Sequence, residues 1–444
     1  MTKYYLFLLR VVVLVLLLPM STLAVDDHEH HTTEEFTPIE RDPNEKSELQ
    51  ELIDATPENG ILKLEGRTYR GSIEITKPIT IEGTDNTAVK SLNVVFTLTN
   101  TNDVKLRNLA LEANTLAIYA QNVDTLTLEN VSITNTPAAI NISKSRNISL
   151  KNIDIIGMEG HFAQKKNAVA LFDAENVQLH NLRIHNMLDA IYVERVQHLE
   201  VLNSVVTGSR YGFHVMYSDY ISFQHNTVTN NMTGLMIMIA KDVQLRNNII
   251  EQHNTLNSIG TYLYDVEQVV FKHNDVRDNT LAFDLQNARE TVISDNAFST
   301  NGTVLQLQKS GTADVHSNTF LANILTARAD AESFALRKNA YDDFNGYDFN
   351  NDAYGDTPYI ASNAFGQWMV QKPVYQYYMG SPAVTVLNTL ETAVVGDEKS
   401  LIIDDEPRIL QSDIELAWQP SWGMFGGLLA LLGGMLFSIR RWLM

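Results

Sequence analysis

A 22-residue repeat in the middle of this chain limits its possible folds more than any other feature. One apolar position returns at this spacing along most of the chain, and two longer steps mark insertions between repeats. The positions are Leu106, Leu128, Leu150, Leu179, Val201, Phe223, Leu245, Phe271, Ile293 and Val315. A spacing that holds over so many units indicates one small structural unit repeated in space.

Each unit contains short segments in which apolar and polar residues alternate, and these segments are rich in Val, Ile and Leu. They are separated by Asn, Asp and Gly, and the alternation is that of strands rather than helices. One unit cannot bury its apolar face alone, so the units must stack. The sequence therefore predicts an all-β fold, a parallel β-helix of 22-residue coils, in the right-handed form usual for this coil length. A leucine-rich horseshoe has a similar period, but its helix and fixed leucine frame are missing here.

Asparagine recurs at nearly the same turn of every coil. Its side chain tolerates left-handed backbone and can form hydrogen bonds along a stack, which predicts a structural ladder. The expected members are Asn108, Asn130, Asn152, Asn181, Asn203, Asn226, Asn248, Asn274, Asn296 and Asn318.

Both ends of the sequence have the pattern of targeting or anchoring segments. Lys3 and Arg10 precede an apolar run and a small-residue cleavage site, which is typical of a secretory signal peptide. Near the other end, an uncharged apolar stretch is followed by Arg440 and Arg441, which predicts a membrane anchor with a cytoplasmic C-terminus. A buried helix or hairpin is the alternative for this stretch.

These patterns divide the chain into six segments. The predicted order is a signal peptide (1–24), an acidic His-containing segment (25–48), the parallel β-helix (49–328), a C-terminal cap (329–400), a tether (401–420) and a transmembrane helix (421–440).

Composition narrows the chemistry of the part outside the cytoplasm. The chain has no cysteine, which excludes disulfides and thiolate ligands. Its formal net charge is −20, which argues against nucleic acid and anionic lipid as partners and favours cations.

An outward-facing group of soft ligands is predicted where the repeat contains the segment "GFHVM". Strand alternation places His214 and Met216 on the outer surface, and Met236 and Met238 take the same positions one coil later. Adjacent coils are about 4.8 Å apart and residues i and i+2 about 6.6 Å apart, so the four side chains mark one small rectangle. Thioethers select Cu(I) and imidazole suits copper, which predicts a copper site, most readily for Cu(I).

Two other readings of this surface remain open. The methionines could pack against the cap or a partner protein on a scaffold without metal. A polysaccharide-processing β-helix enzyme, such as a lyase or epimerase, would instead need an acid and base such as Glu194 and Asp284. These two residues are four coils apart, about 19 Å, which is too far for a carboxylate pair.

Other side chains of metal-ligand type are weaker candidates. Three lie in turns beside the same strand, three lie at the start of the predicted mature chain, and four match part of a calcium-loop pattern. The turn residues are Met187, Met232 and His253, the N-terminal ones are His28, His30 and His31, and the possible calcium ligands are Asp348, Asn350, Asp352 and Asp356.

Three segments carry a resemblance to a known family. They are "RYGFHVMYS" from Arg210 to Ser218, "NAYDDF" from Asn339 to Phe344 and "GDTPY" from Gly355 to Tyr359. With the signal peptide and the 22-residue coils, they make the chain similar to the NosD family of periplasmic maturation proteins for nitrous oxide reductase. Tyr341 stands where that family has tryptophan.

The resemblance implies a non-enzymatic role. A protein of this family would take copper from a donor chaperone and pass it to nitrous oxide reductase, with an ABC-type ATPase and permease as partners. It implies a location in the periplasm, and the predicted C-terminal helix adds an anchor in the inner membrane.

Overall fold

The structure is a computed structural model that describes residues 47–310, 313–330, 335–362 and 402–410, with scattered positions between 372 and 386. All of these residues belong to one compact unit that begins at Pro43.

A short helix, α1 (Glu48–Ala55), precedes the first strand. Its apolar residues are spaced one helical turn apart, and Leu49 and Ile53 are buried in the same core as the first strands. The helix therefore covers the end of the solenoid, where the first coil would otherwise expose its apolar interior.

The described strands form a single sheet wound into coils. The strands that precede the candidate site are β1 (Gly60–Lys63), β2 (Thr68–Arg70), β3 (Ile73–Ile75), β4 (Ile79–Glu82), β5 (Ala88–Ser91), β6 (Val94–Ala113), β7 (Leu116–Thr134), β8 (Ala138–Ser143), β9 (Arg146–Ile156), β10 (Val169–Phe172) and β11 (Glu175–His185). The middle strands are β12 (Asp189–Glu194), β13 (Gln197–Leu202), β14 (Val205–Thr207), β15 (Tyr211–Met216), β16 (Asp219–Gln224), β17 (Thr227–Thr229), β18 (Thr233–Arg246), β19 (Ile249–Glu251), β20 (Ile259–Lys272), β21 (Asp275–Arg277) and β22 (Leu281–Gln286). The last are β23 (Arg289–Ser294), β24 (Ala297–Ser299), β25 (Thr303–Gln308), β26 (Asp314–His316), β27 (Thr319–Leu321), β28 (Leu325–Ala329), β29 (Ala335–Arg337), β30 (Ala340–Tyr341), β31 (Tyr359–Ser362) and β32 (Ile402–Asp404).

Strands of adjacent coils pair in parallel, as in Val201 with Phe223 and Phe223 with Leu245, whereas β31 and β32 pair antiparallel. The ten apolar positions that defined the repeat are all buried. The predicted all-β parallel solenoid is therefore confirmed, and the constant coil length is what keeps the apolar residues stacked.

The asparagine ladder is real, but it consists of two adjacent columns rather than one. Asn130 donates to Asn108 and Asn152 to Asn130 at 2.9 Å, on an exposed corner with positive φ. From Asn226 onward the laddered asparagines lie one residue later in the coil and are buried, each donating to the next through Nδ2. The single series predicted above was wrong at the step from Asn203 to Asn226, because this step is 23 residues rather than 22 and makes Asn226 equivalent to Ser204, not Asn203.

Stacking continues past the predicted end of the β-helix at residue 328. Strands β29 and β30 pair in parallel with β26 and β27, and β32 then pairs with β29. Asp404 in β32 is fully buried and lies at the end of the inner asparagine column. The segment expected to be a tether thus contributes a strand that closes this end of the solenoid.

Within the ranges given above, no helix is long and apolar enough to cross a membrane. The predicted signal peptide, His28, His30 and His31, and the predicted membrane span at 421–440 lie outside the described residues.

Candidate metal site

The four residues predicted as soft ligands lie together on the outer face of the solenoid. Strand β15 pairs with β18 so that His214 is opposite Met236 and Met216 is opposite Met238. The three methionines are half-buried, and the imidazole side chain is 12% exposed. The alternating residues Phe213 and Val215 are fully buried inside, as the predicted register requires. We refer to these four residues as the His/Met patch.

Asp189 holds the imidazole of His214 in one orientation. The carboxylate is completely buried, and its Oδ2 lies 2.8 Å from Nδ1 of His214. An ionised carboxylate only accepts hydrogen bonds, so Nδ1 carries the proton and Nε2 is the nitrogen left for a ligand. A carboxylate behind a histidine in this way fixes the tautomer and increases the basicity of the ligating nitrogen.

Arg210 neutralises the same carboxylate. Its Nε donates to Oδ1 at 3.0 Å and its Nη2 to Oδ2 at 2.9 Å. Burial would lower the pKa of Arg210, but the hydrogen bonds and charge of Asp189 outweigh burial and raise it. The buried charge of Asp189 is thus fully paired, as a buried ion must be.

Asp189 and Arg210 are the site residues that sequence reasoning missed. Asp189 lies one residue before the strand positions that the repeat aligns from coil to coil. Its side chain contacts His214, which is 25 residues later in the sequence. No signal for Asp189 was present in the sequence, because its burial and its pairing appear only in the structure. Arg210, the partner of Asp189, lies in the "RYGFHVMYS" segment, and this was its only indication in the sequence.

Two tyrosines enclose the imidazole. The rings of Tyr192 and Tyr211 each lie 4.9 Å from the His214 ring in edge-on contact. Tyr192 is itself buried against Phe172 on the outer surface and donates to Glu194 at 2.8 Å. The imidazole is therefore fixed by packing as well as by its hydrogen bond.

The donor atoms available at the patch are one imidazole nitrogen and three thioether sulfurs. No group of three or more His, Cys, Asp or Glu side chains that could hold a metal is found in the part of the chain that the structure describes. The His/Met patch is not such a group, because three of its four ligands are methionines. Its neutral, soft donors suit Cu(I) and serve hard ions such as Mg²⁺ poorly.

The weaker candidates in the turns do not join the patch as one group. Met187 and His253 are buried in the interior, whereas Met232 is exposed. Nδ1 of His253 is 2.9 Å from Oδ1 of Asn279, and a Cβ at Gly234 would lie 2.7 Å from its Nε2. Burial lowers the pKa of His253 to about 4, although its contact with Asn279 acts in the opposite direction. His253 lies in a second buried column of turn residues, and the next member of this column is Asn279.

In the possible calcium loop, the carboxylates accept hydrogen bonds from the backbone N–H groups of the loop itself. Asp348 accepts hydrogen bonds from the backbone N–H of Asp352 at 3.2 Å and Ala353 at 2.9 Å. Asp356 accepts from Phe349 at 2.6 Å, and Asp352 accepts from Tyr354 at 2.9 Å. These carboxylates serve Asx turns here, and they do not form a group that could hold a metal.

A comparison with protein families identifies the chain. The sequence profile described as "Periplasmic copper-binding protein (NosD)" matches residues 151–367. The chain belongs to the NosD family. The matched region contains the whole His/Met patch together with Asp189 and Arg210, and the NosD description is that of a periplasmic, copper-related protein.

Several solved structures are similar to this NosD-family chain in fold. The PfbA surface adhesin of Streptococcus pneumoniae is 12% identical, with 69% of this chain and 90% of that chain covered and a TM-score of 0.48. The A-module of the mannuronan C-5 epimerase AlgE6 from Azotobacter vinelandii is 14% identical, with 63% and 90% covered and a TM-score of 0.44. An exopolygalacturonase from Thermotoga maritima is 10% identical, with 60% and 84% covered and a TM-score of 0.39. No curated protein matches the chain.

Proposed function

We propose that this chain is a copper-handling accessory protein of the periplasm, not an enzyme, and that it delivers copper to nitrous oxide reductase for assembly of its copper centres. Copper is its cargo, carried as Cu(I). Membership of the NosD family supports the copper-related role, and the His/Met patch supplies a place for the ion.

The observation that carries this proposal is the pairing of β15 with β18. It places Nε2 of His214 and the sulfurs of Met216, Met236 and Met238 on one half-buried surface. None of these donors has to lose a proton to bind Cu(I) when the imidazole is neutral. Binding and release therefore need no change in protonation, which suits a protein that must hand the ion on.

The same proposal includes the other components of a delivery system. A copper donor chaperone would load the patch, and an ABC-type ATPase and permease would work with the chain at the membrane. The predicted C-terminal helix would anchor the chain to the inner membrane near these partners.

A polysaccharide-processing enzyme is less compatible with the contacts of the acidic residues. Glu194 accepts a hydrogen bond from Tyr192 and is paired with Arg195. Asp284 lies in the neighbouring outward column, four coil steps along the solenoid, or about 19 Å. An acid and a base acting on one sugar linkage need to be far closer than this.

Cu(I) titration of the Met236→Ala, Met238→Ala double variant tests the proposal. Loss of two of four donors should weaken Cu(I) binding at least tenfold, while the circular dichroism spectrum and unfolding midpoint stay close to those of the parent chain. Met158→Ala is the matched control, because Met158 is an exposed methionine in a surface loop of the matched region. Equal Cu(I) affinity in the parent and double variant would contradict the proposal.

A further inference from the structure

The outward column that contains His214 and Met236 continues into a group of polar side chains. Beyond Tyr262 it runs through Asp284, Gln306 and Arg328, which are paired directly with one another in successive coils. These three residues are only 4%, 7% and 3% exposed, although they point away from the apolar interior. Buried polar side chains on the outside of a sheet need partners.

The partners are incomplete. Oδ2 of Asp284 accepts hydrogen bonds from Gln306 at 2.9 Å and Gln286 at 3.3 Å. Among the described residues, Oδ1 of Asp284, Oε1 of Gln306, and Nε and Nη1 of Arg328 are buried without a hydrogen-bond partner. Two acceptor atoms and two donor atoms thus lie in one buried strip on the outer side of the sheet, over three coils.

Asp284 and Arg328 attract each other but form no direct ion pair. Gln306 separates them, so their backbones are two coil spacings apart, about 9.6 Å. Burial lowers the pKa of Arg328 and raises that of Asp284 to about 6, and in both residues burial outweighs the attraction of the opposite charge. A buried guanidinium without an adjacent anion is costly, and so is each buried polar atom without a hydrogen bond.

We propose that Asp284, Gln306 and Arg328 form a binding site for a hydroxycarboxylate of about the size of a sugar acid. The carboxylate of the ligand pairs with Arg328, and its hydroxyl groups donate to Oε1 of Gln306 and Oδ1 of Asp284. A small anion would satisfy the guanidinium but leave both acceptors unpaired, and a neutral sugar would leave the charge of Arg328 unpaired. The site is separate from the His/Met patch and does not depend on copper.

Calorimetric titration of the full chain with three matched compounds tests this site. Glucuronate carries both a carboxylate and hydroxyls, glucose carries hydroxyls alone, and acetate carries a carboxylate alone. Glucuronate should bind at least tenfold more tightly than either of the others. Absence of saturable glucuronate binding, or equal binding of all three, would overturn the proposal.

Variants separate binding from folding. Arg328→Gln should reduce glucuronate affinity at least tenfold without lowering the unfolding midpoint, since it removes a buried charge that has no ion-pair partner among the described residues. Arg337→Gln is the control, because Arg337 is an exposed arginine paired with Asp314. If Arg328→Gln does not fold, Gln306→Met serves instead, and it should weaken glucuronate but leave acetate binding unchanged. Glucuronate affinity that is the same in the parent and in the folded variant would also overturn the proposal.

Discussion

Asp189 shows how a single buried residue can decide the chemistry of a surface patch. Its carboxylate is fully buried, pairs with Arg210 and accepts a hydrogen bond from Nδ1–H of His214. Without it, the imidazole could present either nitrogen outward, and the ring would be held only by Tyr192 and Tyr211. The ligand geometry of the patch therefore depends on a residue that does not touch the cargo.

We predict that Asp189→Asn weakens Cu(I) binding by about 10- to 100-fold, the usual effect of losing a carboxylate behind a ligating histidine. The variant also leaves Arg210 without its anion, so the free energy of unfolding should fall by about 3 kcal/mol or more. Competition titration with a Cu(I) chelator, at a temperature where the variant is folded, gives the affinity.

Asp173→Asn is the control for this prediction. Asp173 also pairs with an arginine, Arg195, but on an exposed corner away from the imidazole. Its replacement should leave Cu(I) affinity unchanged. If Asp189→Asn binds Cu(I) as tightly as the parent, Asp189 has no part in positioning the ligand.

The buried turn columns are the structural elements that align one coil on the next. Each asparagine of the inner columns accepts a backbone hydrogen bond through Oδ1 and donates through Nδ2. Asn279, for example, accepts from the backbone of His253 and donates to Asn301 and Ile250. His253 stands in one of these columns between Asn231 and Asn279. It is buried with a pKa near 4, so the fold requires it to be neutral.

The His253 position makes stability depend on pH. Between pH 6.5 and 4 the unfolded chain binds a proton at this residue and the folded chain does not, so the free energy of unfolding falls as the pH falls through this window. The loss is on the order of 3 kcal/mol at pH 4 and vanishes above pH 6.5. His253→Asn should remove this loss, as measured by urea unfolding at several pH values.

His273→Asn is the matched control for His253, because His273 is exposed and its left-handed backbone also suits asparagine. This variant should keep the pH dependence of the parent between pH 6.5 and 4. A parent chain and a His253→Asn variant with the same pH dependence would contradict the prediction.

At the scale of the whole molecule, the solenoid must be closed at both ends. Helix α1 covers the first coil, and β32 returns from a distant part of the chain to pair with β29 at the last coils. Asp404 accepts hydrogen bonds from the backbone of Lys338 and from the backbone and side chain of Asn339. Its Oδ2 also accepts from Tyr341, the residue that stands in place of the family's tryptophan, at 3.0 Å.

We predict that Asp404→Ala unfolds the end of the solenoid without unfolding its middle. Several buried donors would lose their acceptor, at about 1–3 kcal/mol each. Because each coil contacts only its neighbours, amide hydrogen exchange should accelerate in β29 and β30 but not in β9 or β11. The exposed Asp405→Ala serves as control, and uniform loss of protection along the chain would refute local closure by Asp404.

The sequence by itself determined the parallel solenoid and the register of the His/Met patch, because coil length and strand alternation are local, periodic properties. From a constant spacing, Phe213 had to face inward and His214 outward, and both do. The predicted end of the β-helix at residue 328 was too early, because the last coils lose the apolar repeat and depend on β32 for closure.

Only the tertiary structure decided which polar residues support the patch and where the solenoid ends. Asp189 meets His214, and Asp404 meets Asn339 and Tyr341, through side-chain directions at turns and through a chain return of 65 residues. Periodicity fixes where a residue lies in its coil, but not where a turn side chain points or which distant segment covers an end. Those outcomes depend on which buried charges and hydrogen-bonding groups find partners when the whole chain is packed.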